Sequence, residues 1–251
     1  GQAGNDTLNG QSGNDTLLGG NDDDVFVLDS NGSGKDSADG QDGFNTIQVN
    51  GTNKVDAISV SQVGSTLTIN NGFGTIGATQ NIQNVAINTL AGNDTVTLAS
   101  INGVSALQLN VNAGDGNDLL DATGALIGSV RLALNGGDGN DTLTGSLGND
   151  SLNGGVGNDL IVGNPGNDVI SGGDGNDVIG GGLGDDVVSG GDGADTINGQ
   201  QGNDNLNGGN GNDTIKGDVG NDTIGGGAGD DSLNGMEGDD SILGGVGQDA
   251  L

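Results

Sequence analysis

The nine residues GGDGNDTLT at positions 136–144 recur, with changes, every nine residues as far as Leu251. Glycine stands two and five residues before each aspartate of the series, and an aliphatic residue stands two residues after it. The thirteen aspartates, called here the repeat aspartates, are Asp141, Asp150, Asp159, Asp168, Asp177, Asp186, Asp195, Asp204, Asp213, Asp222, Asp231, Asp240 and Asp249. Because the glycine, aspartate and aliphatic positions all recur every nine residues without a break, they indicate a repeated structural unit.

The same frame occurs near the N-terminus, where Asp6, Asp15 and Asp24 are each followed two residues later by Leu or Phe. Isolated copies of the turn surround Asp118 and, more weakly, Asp94. Glycine permits positive φ, so that backbone carbonyls can turn inward, and carboxylate and carbonyl oxygens are the ligands of a hard cation such as calcium. We therefore predict that the thirteen repeat aspartates, together with Asp6, Asp15, Asp24 and Asp118, are calcium ligands.

Each repeat is expected to contain six residues of turn and three of strand, with the aliphatic side chain pointing into a narrow core. A second period appears four residues before each repeat aspartate, where every other repeat has glycine, from Gly137 to Gly245. The intervening repeats have varied residues there, including Ser146 and Met236. The structural period is therefore 18, with two strands and two turns in each coil. The predicted fold class is all-β, a parallel β-roll or β-helix solenoid with calcium-binding nonapeptide turns.

The consensus GGxGND followed by x-aliphatic-x resembles the nonapeptide of the RTX (repeats in toxin), or haemolysin-type, family of exported bacterial proteins. The resemblance covers residues 1–27 and 136–251. It implies a parallel β-roll with calcium between adjacent turns. It also implies type I secretion as an unfolded chain, with folding outside the cell and an extracellular or cell-surface location.

Pairing each turn with the equivalent turn of the next coil gives six calcium sites on one edge of residues 136–251 and five on the other. Eleven divalent ions would bring a charge of +22, against −20 for the side chains of this segment. The ions would therefore nearly neutralise stacked carboxylates that otherwise repel one another.

Charge divides the chain into three predicted domains, with −8 over residues 1–42, −3 over 43–135 and −20 over 136–251. The first is interpreted as a short repeat run with an end-cap loop. The second alternates apolar and polar residues, which favours a calcium-poor parallel β-helix with larger coils that runs without a linker into the thirteen-repeat roll. The stretch DSNGSG at 29–34 is either an additional calcium loop or a solvated connection.

The composition excludes many functions, because the chain has 35 acidic and four basic residues and no His, Cys, Trp or Tyr. It lacks the usual nucleophiles, general bases and zinc ligands, so we expect no enzymatic activity. Its acidity opposes binding to nucleic acid, and no apolar run is long enough for membrane insertion. We expect a monomer, joined to flanking domains of a longer protein because the chain lacks an initial Met and stops within the pattern.

Several alternatives follow from the same residues. Glycine and aspartate enrichment is typical of a disordered acidic tract, but the phase-locked aliphatic residues argue against disorder. A glycosidase could use two carboxylates, although the repeated aspartates are already explained as ligands. An ice-binding or adhesive solenoid surface of an extracellular adhesin would need a regular outward row, whereas the row from Thr142 through Leu160 and Val178 is irregular. The favoured prediction is a calcium-binding, calcium-dependent folding and spacer module of a larger secreted bacterial protein.

Overall fold

The structure is a computed structural model that describes residues 1–28, 34–63, 66–71, 75–80, 82–99, 101–102, 107–124, 126–127 and 130–251. Within these ranges all regular secondary structure is β-strand. No helix of these ranges has the length and apolar character needed to cross a membrane.

The strands are short. The first fourteen are β1 (Thr7–Asn9), β2 (Thr16–Gly20), β3 (Val25–Leu28), β4 (Lys35–Gln41), β5 (Thr46–Asn50), β6 (Ala57–Val63), β7 (Thr66–Asn70), β8 (Thr75–Gln80), β9 (Asn84–Asn88), β10 (Thr95–Leu98), β11 (Ile101–Asn102), β12 (Gln108–Asp115), β13 (Leu119–Asp121) and β14 (Leu126–Ile127). The others are β15 (Arg131–Asp138), β16 (Thr142–Thr144), β17 (Asp150–Val156), β18 (Leu160–Pro165), β19 (Val169–Asp174), β20 (Val178–Leu183), β21 (Val187–Asp192), β22 (Thr196–Gln201), β23 (Asn205–Asn210), β24 (Thr214–Val219), β25 (Thr223–Ala228), β26 (Ser232–Glu237) and β27 (Ser241–Val246).

The chain forms two compact units, the first from residues 1–115 and 121–133 and the second from 116–120 and 134–251. In the second unit, strands β17, β19, β21, β23, β25 and β27 form one parallel run and β16, β18, β20, β22, β24 and β26 form the other. Successive strands of one sheet are offset by two repeats, so that Ser151 pairs with Val169. The parallel solenoid with two repeats in each coil is therefore confirmed.

One aliphatic side chain per repeat forms the core of the second unit. From Leu143 to Leu233 these side chains are at most 3% exposed. Burying one such side chain contributes about 1.5–3 kcal/mol, whereas ordering the backbone costs about 1–2 kcal/mol for each of nine residues. Apolar burial alone therefore falls short, and other interactions must stabilise the coils.

The division between strand and turn differs from the expected three and six residues. Strands β19 to β27 each contain six residues, with three residues between one strand and the next. Parallel pairing continues into the glycine segment, where Gly155 pairs with Gly173 and Val156 with Asp174. Each turn stacks on the equivalent turn of the next coil, and the backbones of the two turns hydrogen-bond to each other. The strands therefore extend into residues that were expected to form the turn.

The first unit is a solenoid with an antiparallel insertion. One sheet has the parallel order β1-β3-β5-β9-β12, and the other has the order β2-β4-β8-β7-β6-β10. Strand β7 is antiparallel to both β6 and β8, so the expectation of a wholly parallel helix in the middle of the chain is wrong at this point. Only two residues separate β6 from β7, whereas a parallel crossover needs a dozen or more.

Candidate metal centre

The repeat aspartates form two ladders of hydrogen bonds in the second unit. The backbone N–H of each donates to the Oδ1 atom of the repeat aspartate 18 residues later, from Asp141 with Asp159 to Asp231 with Asp249, at distances of 2.8–3.1 Å. From Asp141 to Asp231 every repeat aspartate is at most 4% exposed. One carboxylate oxygen thus holds the coils together while the side chain is withdrawn from water.

The second oxygen of most of these carboxylates has no hydrogen-bond donor. Buried Oδ2 atoms without a partner belong to Asp15, Asp24, Asp141, Asp159, Asp168, Asp177, Asp186, Asp195, Asp204, Asp213, Asp222 and Asp231. A buried polar atom without a partner costs about 1–3 kcal/mol, and more when it is charged. A row of such oxygens requires a compensating positive charge.

Each unpartnered Oδ2 faces a small space bounded by glycine, which we call a cradle. A Cβ atom built on Gly136 would overlap Asp141 Oδ2 and would lie 2.6 Å from the carbonyl oxygen of Gly154 in the next coil. The same relation recurs at Gly172, between Asp177 and the carbonyl oxygen of Gly190. Glycine five residues before the aspartate is therefore required because a side chain would fill the space between the carboxylate and the carbonyl oxygens.

Burial makes these carboxylates hard to ionise. Desolvation raises the pKa of Asp141 and of Asp168 to about 7, against the opposing effect of the backbone N–H bonds they accept, and neighbouring aspartates raise it further. Burial likewise raises the pKa of Asp204 and of Asp213 to about 6. A cation in the cradles would stabilise the charged carboxylates in competition with protons.

This competition predicts that folding needs less calcium at lower pH, because protons neutralise the buried carboxylates of the folded chain in place of the ion. An aspartate with a raised pKa in the folded chain favours the calcium-free folded state below about pH 4, and that contribution is lost as the pH rises through about 6 to 7. Calcium binding to the folded chain must release these protons, so below about pH 6 protons supply part of the stabilisation that calcium supplies above it. In calcium titrations followed by circular dichroism, we expect the folding midpoint to lie at a lower calcium concentration at pH 5.5 than at pH 8. Equal midpoints would contradict this prediction.

The chemistry of the cradles fits calcium. Calcium accepts carboxylate and carbonyl oxygens in flexible geometry, whereas softer metals prefer nitrogen or sulfur ligands. In the described part of the chain, three or more acidic side chains converge nowhere to form a metal cluster. Any ion held in a cradle would therefore depend on one or two carboxylates supplemented by backbone oxygens, the donor set that glycine-rich turns provide.

The N-terminal aspartates and Asp118 belong to similar ladders. The N–H of Asp6 donates to Asp24 Oδ1 over 2.9 Å, and that of Asp118 donates to Asp141 Oδ1 over 2.8 Å. Asp240 and Asp249 also accept ladder bonds but are half-buried. The possible calcium loop within 29–34 lies outside the described residues, except for Gly34.

Sequence reasoning missed ladder residues where the coils are longer than two repeats. The N–H of Asp15 donates to Asp36 Oδ1, 21 residues later, over 3.0 Å, and the N–H of Asp56 donates to Asp94 Oδ1, 38 residues later, over 2.7 Å. Asn45 accepts the equivalent bond from Asp24, so an amide replaces the carboxylate there. The isolated G-x-x-x-x-D spacing of Gly51 and Asp56 was the available signal.

A further series of hydrogen bonds, which we call the surface ladder, runs through the residues that precede the repeat aspartates. The N–H of Asn158 donates to Asn140 Oδ1, and the N–H of Asn176 donates to Asn158 Oδ1, each over 2.7 Å. The N–H of Ala194 donates to Asn176 Oδ1 over 2.7 Å, but Ala194 has no side-chain oxygen to offer Asn212 in the next coil. The asparagine column is therefore interrupted at Ala194.

Restoring this column should stabilise the folded chain. We expect Ala194→Asn to raise the free energy of unfolding by about 0.5–1 kcal/mol, because its amide oxygen could accept the N–H of Asn212. Urea unfolding in calcium measures the change. As the matched opposite, Asn176→Ala removes the bond to Ala194 and should destabilise the chain by a similar amount. An unchanged stability of Ala194→Asn would show that water satisfies this N–H equally well.

Comparison with known families finds one that carries this spacing. The family model of the RTX calcium-binding nonapeptide repeat (4 copies) matches residues 1–31, 133–161, 153–188, 189–224 and 216–251. Together these segments span more than half of the chain and include all thirteen repeat aspartates. A search of curated proteins finds no match.

Proposed function

We propose, since this chain belongs to the family of RTX calcium-binding nonapeptide repeats, that its cradles hold calcium and that folding of residues 134–251 depends on it. The chain is a calcium-binding structural module with a β-roll fold. The observation that carries the proposal is the row of buried Oδ2 atoms without partners, which belong to every repeat aspartate from Asp141 to Asp231 except Asp150. Each lies beside a glycine and a carbonyl oxygen of the next coil.

The energetics support calcium as a structural component rather than an accessory ligand. The second unit buries one aliphatic side chain in nine residues and stacks its carboxylates in two ladders. Without cations, desolvation and mutual repulsion both oppose this arrangement, as the raised pKa values of Asp141 and Asp168 indicate. With calcium, the same carboxylates become attachments between coils, because each cradle combines oxygens of two successive turns.

At the level of the organism, we infer a spacer in a larger exported protein. In a cytosol poor in calcium the repeat block would stay unfolded, and in a calcium-rich exterior it would fold, which suits secretion of an unfolded chain. The ice-binding alternative gains no support from the outward row, where Leu160 and Val178 are 44% and 49% exposed between threonine-bearing coils. This row lacks the regular polar repeat that a flat ice-binding surface needs.

The direct test is to count the ions bound by the full chain. Native mass spectrometry in excess calcium should show roughly one ion for each pair of stacked turns in residues 136–251, with any from the first unit in addition. Magnesium should support much less folding at equal concentration, because it demands octahedral geometry and retains its waters. A chain that folds equally well in magnesium, or without either ion, would contradict the proposal.

A further inference from the structure

Among the repeat aspartates from Asp141 to Asp231, Asp150 alone has hydrogen-bond donors to its Oδ2 atom. Asp150 Oδ2 accepts the backbone N–H of Ser146 over 2.6 Å and lies 3.0 Å from the Ser146 hydroxyl oxygen. Ser146 and Asp150 are 3% and 4% exposed, so both groups are shielded from water. The Oδ1 atom of Asp168 still accepts the N–H of Asp150 over 2.8 Å. The turn therefore keeps its place in the ladder but satisfies its own carboxylate.

The same arrangement occurs a second time, in the first unit. Asp56 Oδ2 accepts the backbone N–H of Thr52 over 2.6 Å and lies 3.2 Å from the Thr52 hydroxyl oxygen. In both turns the hydroxyl also accepts an N–H two residues later, that of Lys54 over 3.1 Å and that of Gly148 over 3.3 Å. The residues between hydroxyl and carboxylate differ, NKV in one turn and LGN in the other. The shared feature is a serine or threonine four residues before the aspartate.

The other turns of the repeat block cannot close in this way because their backbone differs at the same position. Four residues before the aspartate, Gly155, Gly173 and Asn164 have φ values of 118°, 119° and 73°. Ser146 and Thr52 are absent from the residues with positive φ. In the turns with a left-handed residue, no N–H of the turn reaches Oδ2, and the oxygen remains without a partner.

We propose that the hydroxyl and N–H of Ser146 and of Thr52 take the place of a cation, so that these two turns are built without calcium. A calcium ligand must present free lone pairs to the ion, whereas Asp150 Oδ2 directs them at two donors. This inference rests on the proposed function, and it reduces the cation sites of residues 136–251 from eleven to ten, because the pair Asp150 and Asp168 holds none.

The turn closed by Ser146 lies near the start of the repeat block, where it can serve as a starting point for folding. Ser146 lies in the second of the thirteen repeats. A turn satisfied by its own side chains supplies the repeat block with one ordered element that is already formed when calcium is scarce. Folding of the following coils could then extend from that element, because a solenoid is stabilised by interfaces between neighbouring coils.

The test converts the exceptional turn into an ordinary one. Ser146→Gly removes the hydroxyl and permits the positive φ of the other turns, in which the N–H does not reach the carboxylate. Asp150 Oδ2 should then lose both partners and acquire a cation. The matched control is Asn164→Gly, the same change in the next turn of that edge, where Asp168 Oδ2 is already unpartnered. Native mass spectrometry of the full chain in calcium should show one more ion for Ser146→Gly than for the wild type, and no change for Asn164→Gly.

The outcomes separate this inference from the proposed function. An unchanged ion count in Ser146→Gly, with a wild-type chain that binds calcium, overturns the hydroxyl replacement and leaves the proposed function standing. A wild-type chain that binds no calcium overturns both. If Ser146→Gly does not fold in calcium, Thr52→Gly is measured in its place, with the same expected gain of one ion and the same contradicting result.

Discussion

Trypsin should cut after Lys216 roughly a hundredfold faster in chelator than in millimolar calcium, while cutting after Lys54 should change little. Lys216 lies within β24, which pairs with β22 on one side and β26 on the other, between the two aspartate ladders. Cleavage of a paired strand requires local opening. With site affinities near 10⁻⁴ to 10⁻³ M, a few millimolar calcium contributes about 1–2 kcal/mol per site, so losing the sites around β24 favours opening strongly.

Lys54 provides the internal comparison within the same chain. It lies in the turn that Thr52 and Asp56 close with their own hydrogen bonds. The coil that follows buries several apolar side chains, among them Ile58 and Val60. Removal of calcium should therefore leave its cleavage rate within a few fold of the starting value.

Equal acceleration at both lysines would show that the first unit depends on calcium as much as the second. The predicted division into calcium-poor and calcium-rich segments would then be withdrawn. Circular dichroism of the full chain gives an independent measure. The loss of strand signal in chelator should correspond to the strand content of the repeat block. About ten calcium sites in this block together supply on the order of 10–20 kcal/mol, which is comparable with the stability of a whole domain.

Asp186→Asn should remove at least one bound ion, whereas Asp185→Asn should remove none. Asp186 is 1% exposed, and its Oδ1 accepts the N–H of Asp168 over 2.8 Å. An asparagine could keep this bond, but its amide nitrogen would replace the unpartnered Oδ2 beside Gly181. We expect a loss of about 1–2 kcal/mol in stability at millimolar calcium for each site removed.

Asp185 is a closely matched control, because it is adjacent, carries the same charge and undergoes the same substitution. Its side chain is exposed and accepts the N–H of Asn203 in the surface ladder, a role that asparagine fills in most repeats. Calorimetry and native mass spectrometry should therefore separate the two variants. If Asp186→Asn bound as many ions as the wild type, the cradle assignment would be wrong. A loss of two ions would favour sharing of each carboxylate between neighbouring sites.

Much of the fold was predictable because the repeat is regular. Gly, Asp and an aliphatic residue in one phase predicted the inward core, and the alternation from Gly137 to Gly245 predicted the coil of two repeats. Such inference works because every coil meets the same environment, so that one local rule is repeated along the chain. Between Asp15 and Asp94, coils of 21 and 38 residues break that rule, and the partner of Asp56 could not be found by counting.

The direction of β7 shows a different limit. Leu67 and Ile69 alternate with threonine, and this period of two is the same for parallel and antiparallel pairing. The short connection to β6 carried the information that the pairing is antiparallel, but the alternation outweighed it in the prediction of a parallel helix.

The sequence by itself determined the all-strand solenoid, its period and the side chains on its two edges, because these depend on spacing along the chain. Only the tertiary structure decided which carboxylate oxygens are available to a cation. That depends on the backbone conformation four residues before each aspartate and on the carbonyl of the next coil. Asp150 and Asp168 share the same GND spacing, yet Ser146 closes one turn and Asn164, in a left-handed conformation, leaves the other open. The difference arises from hydrogen-bond geometry in three dimensions, which spacing alone does not specify.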